Sequence, residues 1–185
     1  MIRIPEGSSP DFKNKSWTIA AEVSIPEGGA SGVLATIGGR YGGWVLMIED
    51  SKPIFAYAFS NQPQHKYRVA ADQALQPGNH VIRVKFGYAG GGIGKAATAM
   101  LLVDEKDVGQ VQIDRTIAVR FSLDETFDVG QDTGTPVLEE YEDKMPYQFS
   151  GALTKFVVVL EPLKLSEEEQ DRLRQELSRA MMAVQ

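Results

Sequence analysis

Residues 121–141, FSLDETFDVGQDTGTPVLEEY, combine a strand pattern with a dense run of oxygen-bearing side chains. Two kinds of chemistry use such a run. The first is hydrolysis of a glycosidic bond, which needs an acid and a base carboxyl roughly 5–9.5 Å apart. Read as a strand, residues 121–129 put Asp124 and Asp128 on one face, about 13 Å apart at the usual rise per residue, which is too far. Glu125 falls on the opposite face with Phe121, Leu123, Phe127 and Val129. It is expected to be partly buried and paired with an arginine, with Arg40, Arg83 and Arg120 as candidates. The second chemistry is calcium binding, which takes six to eight hard oxygen ligands. Asp128, Asp132, Thr133, Glu139 and Glu140, with carbonyls of residues 130–135, form the candidate set. The same residues also fit a Gly/Thr/Pro-shaped loop held by side-chain-to-backbone hydrogen bonds of the Asx type.

Aromatic side chains near turns are candidates for stacking on sugar rings. Tyr41, Tyr67 and Tyr141 are the proposed carbohydrate-binding set, and Trp44 and Tyr147 also lie near turns. Trp17 and Trp44 sit in strand patterns and are expected in the core. His65 and His80 are the only histidines, and neither has a second ligand at metal-binding spacing on its own element. The run GGGIGK at residues 90–95 fails as a phosphate loop. Ala89 stands where the first Gly is needed, and Ala96 replaces the magnesium-holding Ser/Thr. It reads as a glycine-rich connection between strands. No G-x-S-x-G elbow is present, because residues 29–33 lack the last Gly. Asn14-Lys15-Ser16 fits a glycosylation sequon, which matters only in a eukaryotic secretory pathway.

These residues need a frame to hold them. The chain has 185 residues, enough for one domain with an appendage. Its net charge of −6 and lack of a basic stripe argue against a nucleic-acid partner. The absence of Cys excludes disulfides, thiolate chemistry and Cys-ligated metals. The first residues, MIRIPE, are too short and too polar for a signal peptide. They read like a strand already entering the fold, as in a piece of a longer protein. No run approaches the roughly 20 apolar residues of a membrane span, so no membrane role is expected.

Strands separated by Gly, Pro and Asn turns are expected over residues 16–25, 33–37, 44–49, 54–59, 66–69, 80–88, 97–103, 108–113, 121–129 and 147–160. Residues 33–37 read as buried on both faces. Many short strands without alternating helices predict an all-β fold, a concanavalin A-like, jelly-roll antiparallel β-sandwich spanning residues 1–161. Residues 162–185 are expected to append an amphipathic α-helix. Ser166 and Glu169 form its capping box, and Leu173, Leu177, Ala180, Met181 and Val184 its apolar stripe.

One string is more specific. FSLDETFDVGQDTGTPV at residues 121–137, followed by Tyr141, resembles the C-terminal region of large bacterial arylsulfatases. FKNKSWT at residues 12–18, GGASGVL at 28–34, the glycines around Arg40 and YAGGGIGK at 88–95 resemble the same region. The resemblance runs from about residue 12 to residue 160. It implies the accessory domain of a sulfuric ester hydrolase whose catalytic half uses a formylglycine and a nearby calcium ion. That machinery is missing here: Ser9-Pro10 is followed by Asp11-Phe12, so the C/S-x-P-x-R motif fails, and no catalytic residue carries over. The implied partner is the catalytic sulfatase domain of the parent chain, and the implied location of that parent is periplasmic or secreted. The expected function is to pack on and stabilise that domain, with no catalysis by this chain alone. The alternative is a carbohydrate-binding module for sulfated polysaccharide.

Overall fold

A computed structural model describes residues 1–162 and 167–182. In chain order the strands are β1 (Ile4–Pro5), β2 (Trp17–Ile25), β3 (Gly32–Gly39), β4 (Gly42–Glu49), β5 (Lys52–Ala58), β6 (Lys66–Ala70), β7 (Gly78–Tyr88), β8 (Ala97–Val103), β9 (Lys106–Ile113), β10 (Thr126–Val129) and β11 (Ala152–Leu160). Helix α1 (Glu167–Met182) follows. Its cap Ser166 and the expected apolar stripe lie outside the described residues and side chains.

Strand β2 shows how the sequence makes a layer. Trp17, Ile19, Ala21, Val23 and Ile25 are buried and the residues between them are half-buried, the period-two signature of a sheet with one face on the core. It belongs to a five-stranded sheet ordered β11-β2-β7-β8-β9. The other sheet has six strands, ordered β1-β10-β3-β4-β5-β6. Every ladder is antiparallel. The fold is therefore the expected all-β, concanavalin A-like, jelly-roll sandwich.

Between the sheets lies an aromatic centre. Trp17 stacks on Phe86 with centroids 4.5 Å apart and planes 4° apart. Phe12 meets Trp17 and Trp44 edge-on at 5.2 and 5.0 Å. The Trp17 indole N–H donates to the Phe12 carbonyl at 3.1 Å.

The middle of the six-stranded sheet is buried on both faces, as expected for residues 33–37. β3 is buried throughout, and β4 is buried up to Ile48. Its outer face, with Val33, Val45, Met47, Ile54, Ala56 and Ala58, is covered by Val137, Leu138, Tyr141 and Tyr147 from the connection between β10 and β11. Each large apolar side chain so buried contributes about 1.5–3 kcal/mol. A handful of them compares with the whole net stability of a domain, about 5–15 kcal/mol. The cover is thus an integral third layer.

The expected strand over residues 121–129 is shorter than its alternation suggested. Only Thr126–Val129 is strand. Upstream, the Glu6 carboxylate accepts the backbone N–H of Phe121 at 3.0 Å and of Ser122 at 3.3 Å. The Ser122 hydroxyl accepts those of Asp124 and Glu125. Local side chains thereby take the amides that a ladder would have used, and Leu123 is left 75% exposed.

Candidate functional site

The cover carries the acidic residues that the sequence singled out. Asp128, on β10, is buried beneath it. One of its carboxylate oxygens accepts the Arg3 N–H and the Thr126 hydroxyl, and the other accepts the Thr133 N–H at 3.0 Å and its hydroxyl at 2.6 Å. Asp132 accepts the Gly134 N–H at 3.1 Å and the Tyr141 hydroxyl at 2.8 Å. That hydroxyl in turn accepts the Val137 N–H at 3.0 Å. Glu125 accepts the Thr135 N–H at 3.0 Å. Gly134 packs so closely on this carboxylate that a Cβ there would collide with it. The expected arginine partner is therefore corrected to a backbone amide: Arg40 pairs with Glu142 and Arg83 with Glu105.

A 3-10 turn, Glu139–Lys144, completes the cover. Glu139 reaches Lys66 at 3.2 Å, Glu140 reaches Arg68 at 3.4 Å, and Lys144 reaches Glu49 at 2.7 Å. These exposed pairs are each worth about 0–1 kcal/mol, so they set the register of a turn whose binding energy comes from Tyr141 and Leu138 beneath. Asp128, Asp132, Glu139 and Glu140 do not converge. Two are spent on internal donors and two on ion pairs, and among the described residues no three acidic or histidine side chains are grouped to hold a metal. In this arrangement carboxylate oxygens of all four candidate calcium ligands are bonded to protein donors. Asx-type bonding accounts for Asp132, whose carboxylate accepts the Gly134 N–H two residues on.

Burial pushes the Asp132 carboxyl up to about 6, and the nearby Asp128 and Glu125 charges add to the rise against the Tyr141 and Gly134 donors. A carboxyl with a folded pKa above its unfolded value of 3.8 holds its proton more tightly when folded. Stability should therefore rise as pH falls from about 6 towards about 3.8, and be lost as pH climbs through 6. Subtracting the urea-unfolding curve of Asp132→Asn from that of the parent isolates this window. A flat difference across it would refute the assignment.

A second set of side chains meets at one end of the sandwich. Gly39 pairs with Gly42 to close the β3–β4 turn, where Gly38 takes a φ of 74°. Gly43 pairs with Ala58, and Ala58 with Lys66, so residues 59 and 65 lie beside that turn. The connection between β9 and β10 crosses this end as a strap. Thr116 donates its hydroxyl to the Lys95 carbonyl at 2.9 Å, Ile117 donates its N–H to the Tyr57 hydroxyl at 2.8 Å, and Asn14 donates to the Ala118 carbonyl at 2.6 Å. Glu6 holds its far end.

The strap places the Arg115 guanidinium 5.0 Å from the centroid of the Phe59 ring. Phe59 meets His65 edge-on, at 5.6 Å and 83°. The Ser60 hydroxyl lies 2.8 Å from His65 Nδ1. The Tyr67 hydroxyl donates to Asp114 at 3.4 Å. Tyr41, at the tip of the β3–β4 turn, is 69% exposed. Asn61, Gln62 and Gln64 are exposed on the neighbouring loop. Together these groups offer an apolar ring face, a fixed guanidinium and amide donors and acceptors, the combination that stacks on a sugar ring and hydrogen-bonds its substituents.

Of the three tyrosines expected to bind sugar, only Tyr41 is open. Tyr67 points inward from β6 and only its edge reaches the surface. Tyr141 is fully buried in the cover, which removes it as a platform. Phe59 and Arg115 went unnoticed in the sequence, where Arg115 is one charged residue in an ordinary loop. The glycine-rich connection is confirmed as structural: Asn14 Oδ1 accepts the Gly94 N–H, and the Tyr88 hydroxyl accepts the Lys95 N–H, both at 2.9 Å. His80 lies at the opposite end, between Asp104 and the Gln76 carbonyl.

No protein-family model and no curated protein matches the chain. Solved structures do. The CBM40 domain of Ruminococcus gnavus IT-sialidase, bound to α2,3 sialyllactose, superposes with a TM-score of 0.55 at 13% identity, over 93% of this chain and 95% of that one. The same domain bound to α2,6 sialyllactose gives 0.56 at 15% identity, over 93% of both chains. Mouse laminin α1 domains LG4-5 give 0.55 at 15% identity, over 89% of this chain and 42% of that one. At such identities the likeness establishes the shared β-sandwich fold.

Proposed function

We propose that this chain is a non-catalytic carbohydrate-binding domain that takes a glycan at the loop end of its sandwich. The observation that carries the reading is the surface at this end, where exposed Tyr41 and Arg115 flank the half-buried Phe59, held by a strap with its own hydrogen bonds. A full-length superposition on a domain solved with sialyllactose supports it as analogy of fold. The expected result on a glycan array is selective binding that weakens about tenfold in Tyr41→Ala, on the scale of one lost aromatic contact. Repeating the array with a chelator tests calcium. Silence towards every glycan would overturn the proposal.

A second reading comes from the arylsulfatase resemblance. On it, the chain is the accessory domain of a sulfuric ester hydrolase and packs against the catalytic domain. Leu123 (75%) and Val159 (54%) are exposed apolar side chains that such a partner would cover. The two readings are compatible. On both, the isolated chain turns over no aryl sulfate.

A further inference from the structure

We propose that the Phe59–Arg115 pair is the subsite for an anionic group, so that the preferred ligand is an acidic saccharide. This rests on the carbohydrate-binding reading and names its ligand class.

The chain is acidic overall, and many of its cations are held by carboxylates. Arg40, Arg68 and Arg83 each pair with a glutamate, as do Lys66 and Lys144. Others, among them Arg3, Lys52, Lys85 and Lys95, enter no ion pair among the described residues, and Arg115 and Arg120 are the two of this group that lie exposed on the strap. Arg115 is also positioned, because its guanidinium lies over Phe59 and the strap beneath it is bonded on both sides of residue 115, through Tyr67 to Asp114 and through Thr116 to Lys95. A guanidinium resting on a ring keeps its outward N–H fork free and loses little freedom when it binds. That fork matches a carboxylate or a sulfate with two parallel hydrogen bonds.

The carboxylate next in sequence, Asp114, keeps its charge but is turned to the Tyr67 hydroxyl and forms no ion pair with Arg115. Ser60 occupies Nδ1 of His65, and nothing among the described residues bonds Nε2, which leaves a ring nitrogen beside the same Phe59. Tyr41, at the tip of the β3–β4 turn, offers an exposed ring for the sugar that bears the charge.

Carboxylate and sulfate share this chemistry, and titration calorimetry separates them. The probes are a chondroitin sulfate hexasaccharide, its desulfated counterpart (which retains the uronate carboxylates), an oligogalacturonide and a neutral gluco-oligosaccharide. At least one acidic probe should bind about tenfold or more tightly than the neutral one, the gain expected of a charge-assisted bidentate contact. Loss of affinity on desulfation assigns the group as sulfate, and its retention assigns carboxylate. Arg115→Gln should reduce the acidic preference to below about twofold without changing the melting temperature, because Arg115 is exposed. Neutral glycans binding as well as acidic ones would overturn this inference and leave the carbohydrate reading standing. An acidic preference that survives Arg115→Gln would overturn the subsite. No binding by any probe would overturn both.

Discussion

Replacing Asp128 with alanine should cost about 3–5 kcal/mol of folding stability, because it strands several buried donors at about 1–3 kcal/mol each. The carboxylate is 1% exposed and takes four donors: the N–H of Arg3, the hydroxyl of Thr126, and both the N–H and the hydroxyl of Thr133. Alanine leaves these donors facing a void, and each buried donor without an acceptor costs about 1–3 kcal/mol. The loss also has a direction. Arg3 precedes β1, which pairs with β10, and Thr133 begins the cover. One side chain therefore ties the first residues of the chain to the layer on the six-stranded sheet. Asp128→Asn keeps one acceptor oxygen and should lose roughly half as much, because a neutral hydrogen bond is about half as strong as a charged one. Urea unfolding gives the magnitude. Hydrogen exchange gives the place, with faster exchange at the Arg3 and Thr133 amides before the core strands. A loss below about 1 kcal/mol would show that water replaces the carboxylate and that the network is peripheral.

Trp17→Ala should be comparably severe, about 3–5 kcal/mol, the usual range for deleting a large aromatic from a core. Trp17 is 1% exposed and touches both sheets: it stacks on Phe86 of its own sheet and meets Trp44 and Phe55 of the other. The deletion also frees the Phe12 carbonyl that the indole N–H satisfies. Trp17→Phe retains the stack and loses that donor, so about 1–3 kcal/mol is expected. Near-ultraviolet circular dichroism should fall in both variants, since Trp44, 5.5 Å away, loses its coupled partner. Equal losses in the two variants would mean that the hydrogen bond outweighs the packing.

Much of the frame was legible because it depends on neighbours along the chain. The alternation in residues 16–25 and 80–88 became β2 and β7, paired directly in one sheet. The continuous apolar run at residues 33–37 became a strand buried on both faces. What the sequence concealed was long-range. The period at residues 121–125 is a true alternation, but Glu6, more than 100 residues earlier, takes the amides of Phe121 and Ser122 and withholds that stretch from the sheet. Tyr141 and the acidic run around it look like an exposed loop. They are buried or clamped because the outer face of β3, β4 and β5 requires an apolar cover and β6 offers Lys66 and Arg68 to hold it. At the candidate site, the turn signals located Tyr41. Nothing local to Arg115 shows that a strap will carry it onto Phe59, since that meeting depends on Thr116, Ile117 and Asn14 bonding to three separate elements.

The pairing of early strands with late ones has a consequence for synthesis on the ribosome. β3 to β6 and β7 to β9 are runs of hairpins that can close as they emerge. β1 waits for β10, and the free edge of β2 waits for β11. Until residues 126–160 have left the exit tunnel, the nascent chain presents the bare edge of β3 and an uncovered apolar face bearing Val33, Val45 and Met47. Open edges and apolar faces recruit other chains. Translation that stalls between β9 and β11 should therefore yield the species most dependent on chaperones, and a ribosome-bound series truncated across residues 113–160 would find protease resistance only near its end.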